Sequence, residues 1–574
     1  MRKPLLIAAT VTTLALAVTP LAGAAVAGGQ QHEQQGHHHG HRGHHPMSGP
    51  LPGGYKHLVV IYEENHSFDN LYGDWGSVDG QQVRGLSDPA VATHSAQVDQ
   101  DAARTPFTCL FQDDVNLATP PLSATCHDPH AVNQTTYTAA MPDGYDSHFG
   151  NAPYSIDDYI GPTDKTCPDP ATRGPDNGVP KQTGLPGGCT RDLVHRFYQE
   201  QYQIDGGRQD RYMSGSDAVG LTMGHYDTRQ LPVYRYLHSA GAPKYVVADN
   251  FFQSAFGGSF LNHQWLVAAR TPLDTGGATP TAANSTIDSN GMPIKTPLYT
   301  PTGAVADNQL TQKCADGMNH YEDACGNFAV NTVQPSNPPY GNGAKIPLIN
   351  DTDYPNIGDE LSDAGISWNW YSGGWDNALT DFAHAGEAGY VKKAPLFQFH
   401  HQPLNYFANY APGQPGRAHL QDETKFIAAA KDGTLPTVSF VKPYGAENEH
   451  PGYASEPNGS DHLVDLLKAV TEGGQAGNTL VVVTYDEFGG QWDHVSPPSL
   501  ANGAQAGTAD KWGPGTRIPA LVVARNLRHD GVDHTAYDTT SIVATIEDSF
   551  GLAPLGSRDA AVNPLDNAVA AGGR

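Results

Sequence analysis

The sequence predicts an α/β protein in which a mainly parallel sheet lies between layers of helices. Apolar, β-branched runs alternate along the chain with stretches of helical character, the order that produces parallel strands joined by helices. Two of these runs, 58–61 and 480–483, contain only Leu, Val and Ile, as strands buried on both faces do. No repeat of solenoid period is present, which argues against a repeat architecture.

The individual elements are predicted from these runs and from the turn residues between them. Pro52, Gly53 and Gly54 precede the first strand and bound it on its amino-terminal side. The further predicted strands are 244–248, 365–371, 437–441, 479–485 and 517–524. The predicted helices are 192–202, 231–237, a helix that starts at residue 259, 422–430, 462–471 and 538–550.

Oxygen-rich side chains follow two of the predicted strands. Glu64 and Asn65 come after the first strand, and Asp486 and Glu487 come after the strand 479–485. Ligands of open α/β sheets bind beyond the carboxyl ends of the strands, and carboxylate and amide oxygens suit hard divalent cations. The two strand ends together therefore predict a metal site, although Glu64 and Asn65 alone would equally well begin a surface loop.

Ser259 stands between two glycines and an apolar helical run. Gly257 and Gly258 let the backbone approach a ligand closely, and a helix start offers free N–H groups and a positive partial charge. A serine in this position can also act simply as a helix cap. Asn262 lies one helical turn later on the same face.

The motif E-N-x-S-F-D at 64–69 and the motif Y-D-E-x-G-G-x-W-D-H-V at 485–495 carry a family resemblance. They resemble the phosphoesterase family of bacterial phospholipases C and acid phosphatases, in the alkaline-phosphatase-like superfamily. The resemblance runs from about 55 to 552 and is interrupted by two long insertions. It implies a hydrolase of phosphoric esters that uses one divalent cation, such as calcium or zinc.

The resemblance also implies roles for individual residues. The expected metal ligands are Glu64, Asn65, Asp486, Glu487 and the hydroxyl of Ser259. Ser259 is the expected nucleophile, because a coordinated cation lowers the pKa of a serine hydroxyl. Asn262, on the same helical face, is expected to donate hydrogen bonds to a phosphoryl oxygen.

Four histidines are expected to surround the phosphoryl group: His195, His400, His401 and His450. Imidazole suits this place because it can donate a proton to a leaving oxygen near neutral pH. The sequence does not decide which of the four is the general acid, nor whether His400 or His401 faces the site. Asp493 and His494 belong to the second motif and either bind the metal or support the site.

The composition and the amino-terminal sequence indicate the cellular compartment of the protein and restrict its binding partners. The net charge of −27 argues against nonspecific nucleic-acid binding and against docking on an anionic membrane. Residues 1–27 are predicted to be a secretory signal, with Arg2 and Lys3 before an apolar run and small residues before the cleavage site. We therefore expect an exported protein, secreted or periplasmic, without a stable membrane anchor.

Four regions are predicted along the chain: the signal 1–27, a histidine-rich linker 28–50, a catalytic domain 51–560 and a tail 561–574. The linker is predicted to be disordered, with weak metal gathering as the alternative. Two loop-rich insertions are predicted inside the domain, at about 74–189 and 271–344. An exported chain with six cysteines favours disulfides, and pairing of sequence neighbours is the simplest connectivity: 109–126, 167–189 and 314–325.

Three functions are compatible with these observations. The run G-G-S-F-L-N-H at 257–263 resembles the acid-phosphatase branch more than the phospholipase C context G-P-T-x-P-N-R, so an acid phosphatase is favoured. A phospholipase C is the first alternative, and a secreted metal-binding protein without catalysis is the second. A sulfatase is disfavoured because the motif C-x-P-x-R is absent.

Overall fold

The structure is a computed structural model that describes residues 49–112, 122–133, 140–170, 179–274, 286–288, 291–292, 296–303, 305–306, 314–320, 324–341, 354–452 and 454–574. The chain divides into two units, Met1–Pro46 and Met47–Arg574, and all the described residues belong to the second. The predicted signal 1–27 and all but the last two residues of the predicted linker 28–50 lie outside the described residues. Parts of both predicted insertions do as well.

Within the described residues, eight strands form one central sheet. In chain order they are β1 His57–Glu63, β2 Lys244–Ala248, β3 Trp368–Ser372, β4 Leu420–Asp422, β5 Val438–Lys442, β6 Thr479–Tyr485, β7 Ala520–Ala524 and β8 Gly531–Asp533. Their order across the sheet is β4-β3-β5-β1-β6-β7-β2-β8, and only β7 runs antiparallel to its neighbours. The predicted, mainly parallel α/β fold is confirmed.

Nine helices of six residues or more are described. They are α1 Phe197–Ile204, α2 Pro232–Leu237, α3 Ser259–Ala268, α4 Ile357–Asp363, α5 Trp375–Ala383, α6 Glu423–Asp432, α7 Glu456–Thr471, α8 Thr540–Phe550 and α9 Asp566–Ala571. Two shorter helices are Phe68–Leu71 and Val91–His94. None of the described helices is both long and apolar enough to cross a membrane.

Short two-stranded pairings lie outside the central sheet. They are Ser77–Val78 with Gln81–Gln82, Cys126–Asp128 with Tyr145–Ser147, Tyr154–Ser155 with Gly224–His225, Phe251–Phe252 with Tyr537–Asp538, and Thr286–Ile287 with Val305–Ala306. The three disulfides Cys109–Cys126, Cys167–Cys189 and Cys314–Cys325 confirm the predicted neighbour pairing.

The central position of β1 explains its composition. Leu58, Val59, Val60 and Ile61 have no exposed surface, because β5 and β6 flank the strand and both faces of the sheet are covered. A strand covered on both faces is apolar throughout instead of alternating. Burial of this kind also places the carboxyl end of β1 deep inside the domain, so the polar residues that follow it are buried too.

Three predicted boundaries shift in the structure. The helix predicted at 192–202 begins only at Phe197, because Arg196 has extended backbone angles and its N–H is capped by the side chain of Gln199. Helix α7 begins at Glu456, six residues before the predicted start, with Ser455 as its cap. The predicted tail 561–574 contains α9, whose Ala568 and Val569 are buried.

Candidate active site

Three adjacent strands end at the same edge of the sheet, and the residues at their ends form a buried polar cluster. Glu64 and Asn65 follow β1, Asp486 and Glu487 follow β6, and Lys442 is the last residue of β5. The backbone N–H of Asp486 donates to the carbonyl oxygen of residue 63 at 3.1 Å, which keeps the two acidic strand ends in register. All five side chains are buried. The predicted meeting of the two acidic ends is therefore observed.

Ser259 is the first residue of α3 and faces this centre. Its Oγ lies 3.3 Å from Glu64 Oε2, 3.4 Å from Asn65 Oδ1 and 3.3 Å from Glu487 Oε1. The helix start is possible because Gly257 has φ +91°, and a Cβ atom there would lie 2.6 Å from the backbone nitrogen of Phe197. The hydroxyl thus lies at a helix amino terminus, and three side-chain oxygens lie close enough to it to bind one ion together with it.

The loop before Ser259 is held by two polar side chains. Asn262 Oδ1 accepts from the Ala255 N–H at 2.9 Å, and its Nδ2 donates to the Ala255 oxygen at 3.0 Å. Both ends of this amide therefore bond to the loop, whereas we expected Asn262 to contact phosphate. Glu200, which the sequence analysis did not single out, accepts from the Gly257 N–H at 2.5 Å and from the Thr516 N–H at 2.7 Å.

His401, more than His400, contacts the predicted metal ligands. His401 Nε2 lies 2.8 Å from Glu64 Oε1, and its carbonyl oxygen accepts from the indole N–H of Trp370 at 3.0 Å. His400 packs edge-on against the His401 ring with centroids 4.7 Å apart. Both belong to the short 3-10 helix Phe399–His401, so one turn supplies both imidazoles.

The other two histidines lie next to each other, with ring centroids 6.1 Å apart. His450 Nε2 lies 2.8 Å from Asn65 Nδ2, and its Nδ1 lies 2.6 Å from the Pro451 oxygen. Nδ1 therefore carries the proton, and Nε2 accepts from Asn65, which turns Asn65 Oδ1 toward Ser259. His195 donates from Nδ1 to the Leu193 oxygen at 2.5 Å, and its Nε2 lies 3.4 Å from Glu487 Oε1.

The site has more buried carboxylates than cations. Burial raises the pKa of Glu64, but the charges of His401 and Lys442 outweigh burial and hold that pKa well below its usual value. Lys442 Nζ lies 2.5 Å from Glu64 Oε1. Burial and the charge of Glu64 raise the pKa of Asp486 well above its usual value, and burial and Asp486 raise that of Glu487.

This imbalance, together with the donor set, fits a divalent cation. Asp486 Oδ2 is buried and accepts no hydrogen bond within the described residues, and an unpaired buried carboxylate is costly. The oxygens of Glu64, Asn65 and Glu487 converge on the Ser259 hydroxyl from three directions. Carboxylate, amide and hydroxyl oxygens are ligands that hard divalent cations take.

Burial depresses the basicity of all four predicted histidines. It lowers the pKa of His195, His401 and His450, the last to about 3. Burial and the charge of His401 lower the pKa of His400 well below its usual value. Each imidazole is thus a weak base, and its protonated form is a strong acid.

Two contributors to the site were missed by the sequence analysis. Lys442 is the last residue of a buried strand beside β1. A charged residue at the end of an apolar strand was the sequence signal that could have identified it. His263 lies four residues after Ser259 on the same helical face, donates from Nδ1 to the Ser259 carbonyl oxygen at 2.7 Å, and stacks on His401 with centroids 5.2 Å apart. Ligand atoms of Glu64, His263 and His401 all lie within 4.8 Å of one another.

Asp493 and His494 form a separate cluster with Asp69 around Arg517. Arg517 Nε lies 3.1 Å from Asp493 Oδ1, and its Nη2 lies 2.9 Å from Asp69 Oδ1. Asp69 Oδ2 lies 2.6 Å from His494 Nδ1. Because a guanidinium already balances these carboxylates, the geometry favours support over metal binding.

Ser67, the other serine of the first motif, has a structural environment. Its Oγ donates to the Trp492 oxygen at 2.7 Å and accepts from the Asn70 N–H at 3.2 Å. It caps the helix Phe68–Leu71 and ties the first motif to the second.

The sequence profile of the phosphoesterase family matches residues 55–553, and the chain belongs to this family. It is a hydrolase that acts on phosphoric ester bonds, so the alternative of a metal-binding protein without catalysis is not retained.

Several curated phospholipases C are similar to the chain. Phospholipase C B of Mycobacterium tuberculosis is 23% identical over 533 residues, covering 88% of this chain and 75% of that protein. The non-hemolytic phospholipase C of Burkholderia pseudomallei is 30% identical over 222 residues, covering 33% of this chain and 31% of that protein. A solved alkaline phosphatase superfamily protein from Vibrio parahaemolyticus matches with 10% identity and a TM-score of 0.26, covering 59% of this chain and 64% of that chain. At that score we draw nothing from the structural match.

Proposed function

We propose that the protein is an exported, metal-dependent phosphatase that hydrolyses phosphate monoesters through a phosphoserine at residue 259. The observation that supports this most strongly is the position of the Ser259 hydroxyl. It lies at a helix amino terminus and within 3.4 Å of oxygens from Glu64, Asn65 and Glu487. No other serine of the two motifs has this environment, since Ser67 is occupied as a helix cap.

In this proposal Glu64, Asn65, Asp486, Glu487 and Ser259 hold one divalent cation. When bound, such a cation lowers the pKa of a coordinated hydroxyl and stabilises charge on the phosphoryl group. Lys442 keeps Glu64 ionised, because the two groups lie 2.5 Å apart. Asn262 and Glu200 act as positioning residues, since both hold the loop from which Ser259 projects.

The reaction divides into two steps. Ser259 Oγ attacks phosphorus, the bond from phosphorus to the ester oxygen breaks, and the leaving oxygen takes a proton. Water then attacks the phosphoserine, releases phosphate and restores the serine hydroxyl. The α3 amino terminus and the surrounding imidazoles stabilise the phosphoryl oxygens in both steps.

We assign the proton donor to His195. His401 Nε2 lies 2.8 Å from Glu64 Oε1 and His450 Nε2 lies 2.8 Å from Asn65 Nδ2, so both imidazoles are held at hydrogen-bond distance on predicted metal ligands. His195 keeps its Nδ1 proton on the Leu193 oxygen, and its Nε2 is less engaged, because it lies 3.4 Å from the nearest predicted ligand oxygen, Glu487 Oε1. Its ring also lies against Gly258, because a Cβ atom there would be 3.3 Å from His195 Cδ2. The lowered pKa makes its imidazolium a strong acid, so turnover should rise as the pH falls toward that pKa.

A phospholipase C activity is the second candidate, and the relatives favour it. The curated proteins reported above carry phospholipase C names. The same serine and cation chemistry would cleave a diester, with the lipid alcohol as the leaving group.

A substrate panel separates the two candidates. Purified protein is assayed on p-nitrophenyl phosphate, bis(p-nitrophenyl) phosphate and phosphatidylcholine vesicles at equal phosphorus concentration. A monoesterase should release phosphate from the first at least about 100-fold faster in kcat/KM than it cleaves the others, a difference of about 2.7 kcal/mol. Preference for phosphatidylcholine would replace the proposal by the second candidate. Acid-quenched turnover analysed by mass spectrometry should show phosphate on Ser259 with p-nitrophenyl phosphate, whereas a cleaved diester would leave a phosphoryl group that still carries its second alcohol, p-nitrophenol or choline.

A further inference from the structure

A second group of possible metal ligands lies outside the candidate active site. Glu423 follows β4 directly, Glu447 lies in the loop after β5, and His462 lies in the middle of α7. His462 Nε2 lies 2.6 Å from Glu423 Oε1 and 4.0 Å from Glu447 Oε2. The three side chains line one cavity of about 330 Å³ at the carboxyl edge of the sheet.

This group is distinct from the site around Ser259. Glu423 follows β4 and Glu64 follows β1, and these strands are three positions apart in the sheet order. Neighbouring strands are spaced by about 4.8 Å, so the two groups are separated by roughly 14 Å along the sheet edge. They therefore share no ligand, and one ion cannot serve both.

The Glu423 carboxylate is only partly satisfied by its surroundings. It is 4% exposed, and Oε2 accepts no hydrogen bond within the described residues, although Oε1 is paired with His462. Gly373 keeps the space beside Oε2 open, because a Cβ atom there would lie 2.7 Å from that oxygen. This oxygen faces the cavity without a hydrogen-bond partner among the described residues, so it is free to bind an ion there.

The charged residues that line the cavity also favour a bound cation. Asp422 and Glu447 line it with Glu423, and among its described lining residues Lys393 is the one lysine or arginine.

We propose that Glu423, Glu447 and His462 bind a divalent transition-metal ion of the zinc type. One imidazole nitrogen with two carboxylates suits zinc, whereas calcium and magnesium prefer oxygen ligands throughout. Three protein ligands leave room for water in a four-coordinate site, and the cavity supplies the space.

The ion would connect three elements, one of which, the loop after β5, also contacts the candidate active site. Glu447 lies three residues before His450, and the Asn448 carbonyl oxygen of the same loop accepts from the Glu64 N–H at 3.0 Å. Binding would tie this loop to the start of α6 and to α7. The site is thus a structural clamp, and its occupancy is measurable without any catalytic assay.

Zinc content measured by mass spectrometry after equilibrium dialysis tests the proposal. The parent protein, His462→Ala and Glu447→Gln are dialysed against the same free zinc concentration and compared per mole of protein. Each variant should bind one equivalent less than the parent. The histidines of 28–50 are present in every protein, so their contribution cancels in the difference. The proposal is overturned if both variants keep the parent's zinc content.

Two controls make the difference specific. His384→Ala removes another His–Glu pair, in which His384 Nδ1 lies 3.0 Å from Glu387 Oε2 on the surface, and it should leave zinc content unchanged. Asp486→Asn should lose zinc at the candidate active site and still keep the equivalent that His462→Ala removes. The two proposals can therefore fail separately.

The Glu447→Gln variant keeps the test decisive if the His462→Ala variant does not fold. The Glu447 side chain is 49% exposed, so its substitution leaves the core intact. In zinc-soaked crystals of the parent, an anomalous difference peak should lie within bonding reach of His462 Nε2 and a carboxylate oxygen of Glu423. Absence of that peak, with zinc present elsewhere in the crystal, would also overturn the proposal.

Discussion

Two buried clusters of carboxylates follow the same two strands, and they differ in what balances their charge. Around Arg517, the carboxylates of Asp69 and Asp493 meet a guanidinium and the imidazole of His494. Around Ser259, three carboxylates meet one buried lysine and imidazoles whose pKa values burial has lowered. The first cluster is complete with protein groups alone. The second lacks positive charge, which is why we expect it to bind a cation.

The pKa shifts differ between the clusters in degree. Burial raises the pKa of Asp69, but Arg517 and His494 outweigh burial and hold it below its usual value; at Asp493 burial outweighs Arg517 and raises the pKa to about 6. In the Ser259 cluster only Glu64 has a lowered pKa, while Asp486 is shifted well upward by burial and by Glu64. Complete charge pairing thus marks a supporting cluster, and incomplete pairing marks a ligand site. The experiments below test whether that distinction holds.

The largest expected effect is on turnover. Ser259→Ala should lower kcat by roughly four orders of magnitude or more, about 5.5 kcal/mol, because the nucleophile is removed while the ligand oxygens remain. Ser67→Ala is the matched control, since Ser67 caps a helix. It should cost about 1 kcal/mol of stability with kcat nearly unchanged. Equal loss of kcat in both variants would contradict the assignment of the nucleophile.

The next largest expected effect is on metal content, which should differ between variants of the two clusters. Asp486→Asn should lose the bound cation and lower kcat roughly 10³-fold, about 4 kcal/mol, because the cation's stabilisation of the phosphoryl charge is lost. Asp493→Asn, which weakens the Arg517 cluster, should retain the cation. Elemental analysis of the folded proteins checks both. The proposed difference between the clusters is contradicted if Asp493→Asn loses metal and Asp486→Asn keeps it.

The Arg517 cluster should dominate stability instead. Arg517→Met leaves two buried carboxylates without their partner and should lower the free energy of unfolding by about 3–5 kcal/mol, measured in denaturant. Arg229→Met removes an exposed ion pair with Asp227 and should cost less than about 1 kcal/mol. A small effect at Arg517 would mean that the cluster does not hold the two motifs together.

A leaving-group comparison tests the histidine beside the reactive cluster. His195→Asn should lower kcat/KM about 100-fold for alkyl phosphates, which need a proton on the leaving oxygen. It should lower the value much less for p-nitrophenyl phosphate, whose phenolate leaves without one. Similar losses for both substrates would show that His195 does not donate the proton.

The smallest expected effect concerns pH and the histidine of the supporting cluster. Burial lowers the pKa of His494, but Asp69 outweighs burial and raises it, so its stabilisation is full below the unfolded value of about 6.5. It is lost as the pH rises through the folded value. His494→Ala should therefore cost about 2 kcal/mol near pH 5.5 and less near pH 9. His127→Ala, in an exposed pair with Asp146, should change little at either pH. A pH-independent cost would contradict the charge pairing.

The sequence by itself determined the local features of the site. The runs at β1 and β6 are apolar because both faces are covered, and the acids follow at their carboxyl ends. The start of α3 at Ser259 depends on Gly257 and Gly258 beside it. The disulfides close short loops, so sequence neighbours were the natural partners. Each of these features depends on residues close together along the chain.

Only the tertiary structure decided which charges meet. Lys442 reaches Glu64 because β5 lies beside β1, although 378 residues separate the two in the sequence. Asp493 belongs to the second motif, yet its partner Arg517 makes it a supporting residue. Asn262 lies one turn from Ser259, but its amide bonds to the preceding loop. The order of strands across the sheet sets these pairings, and that order depends on how distant segments pack, which local sequence patterns do not encode.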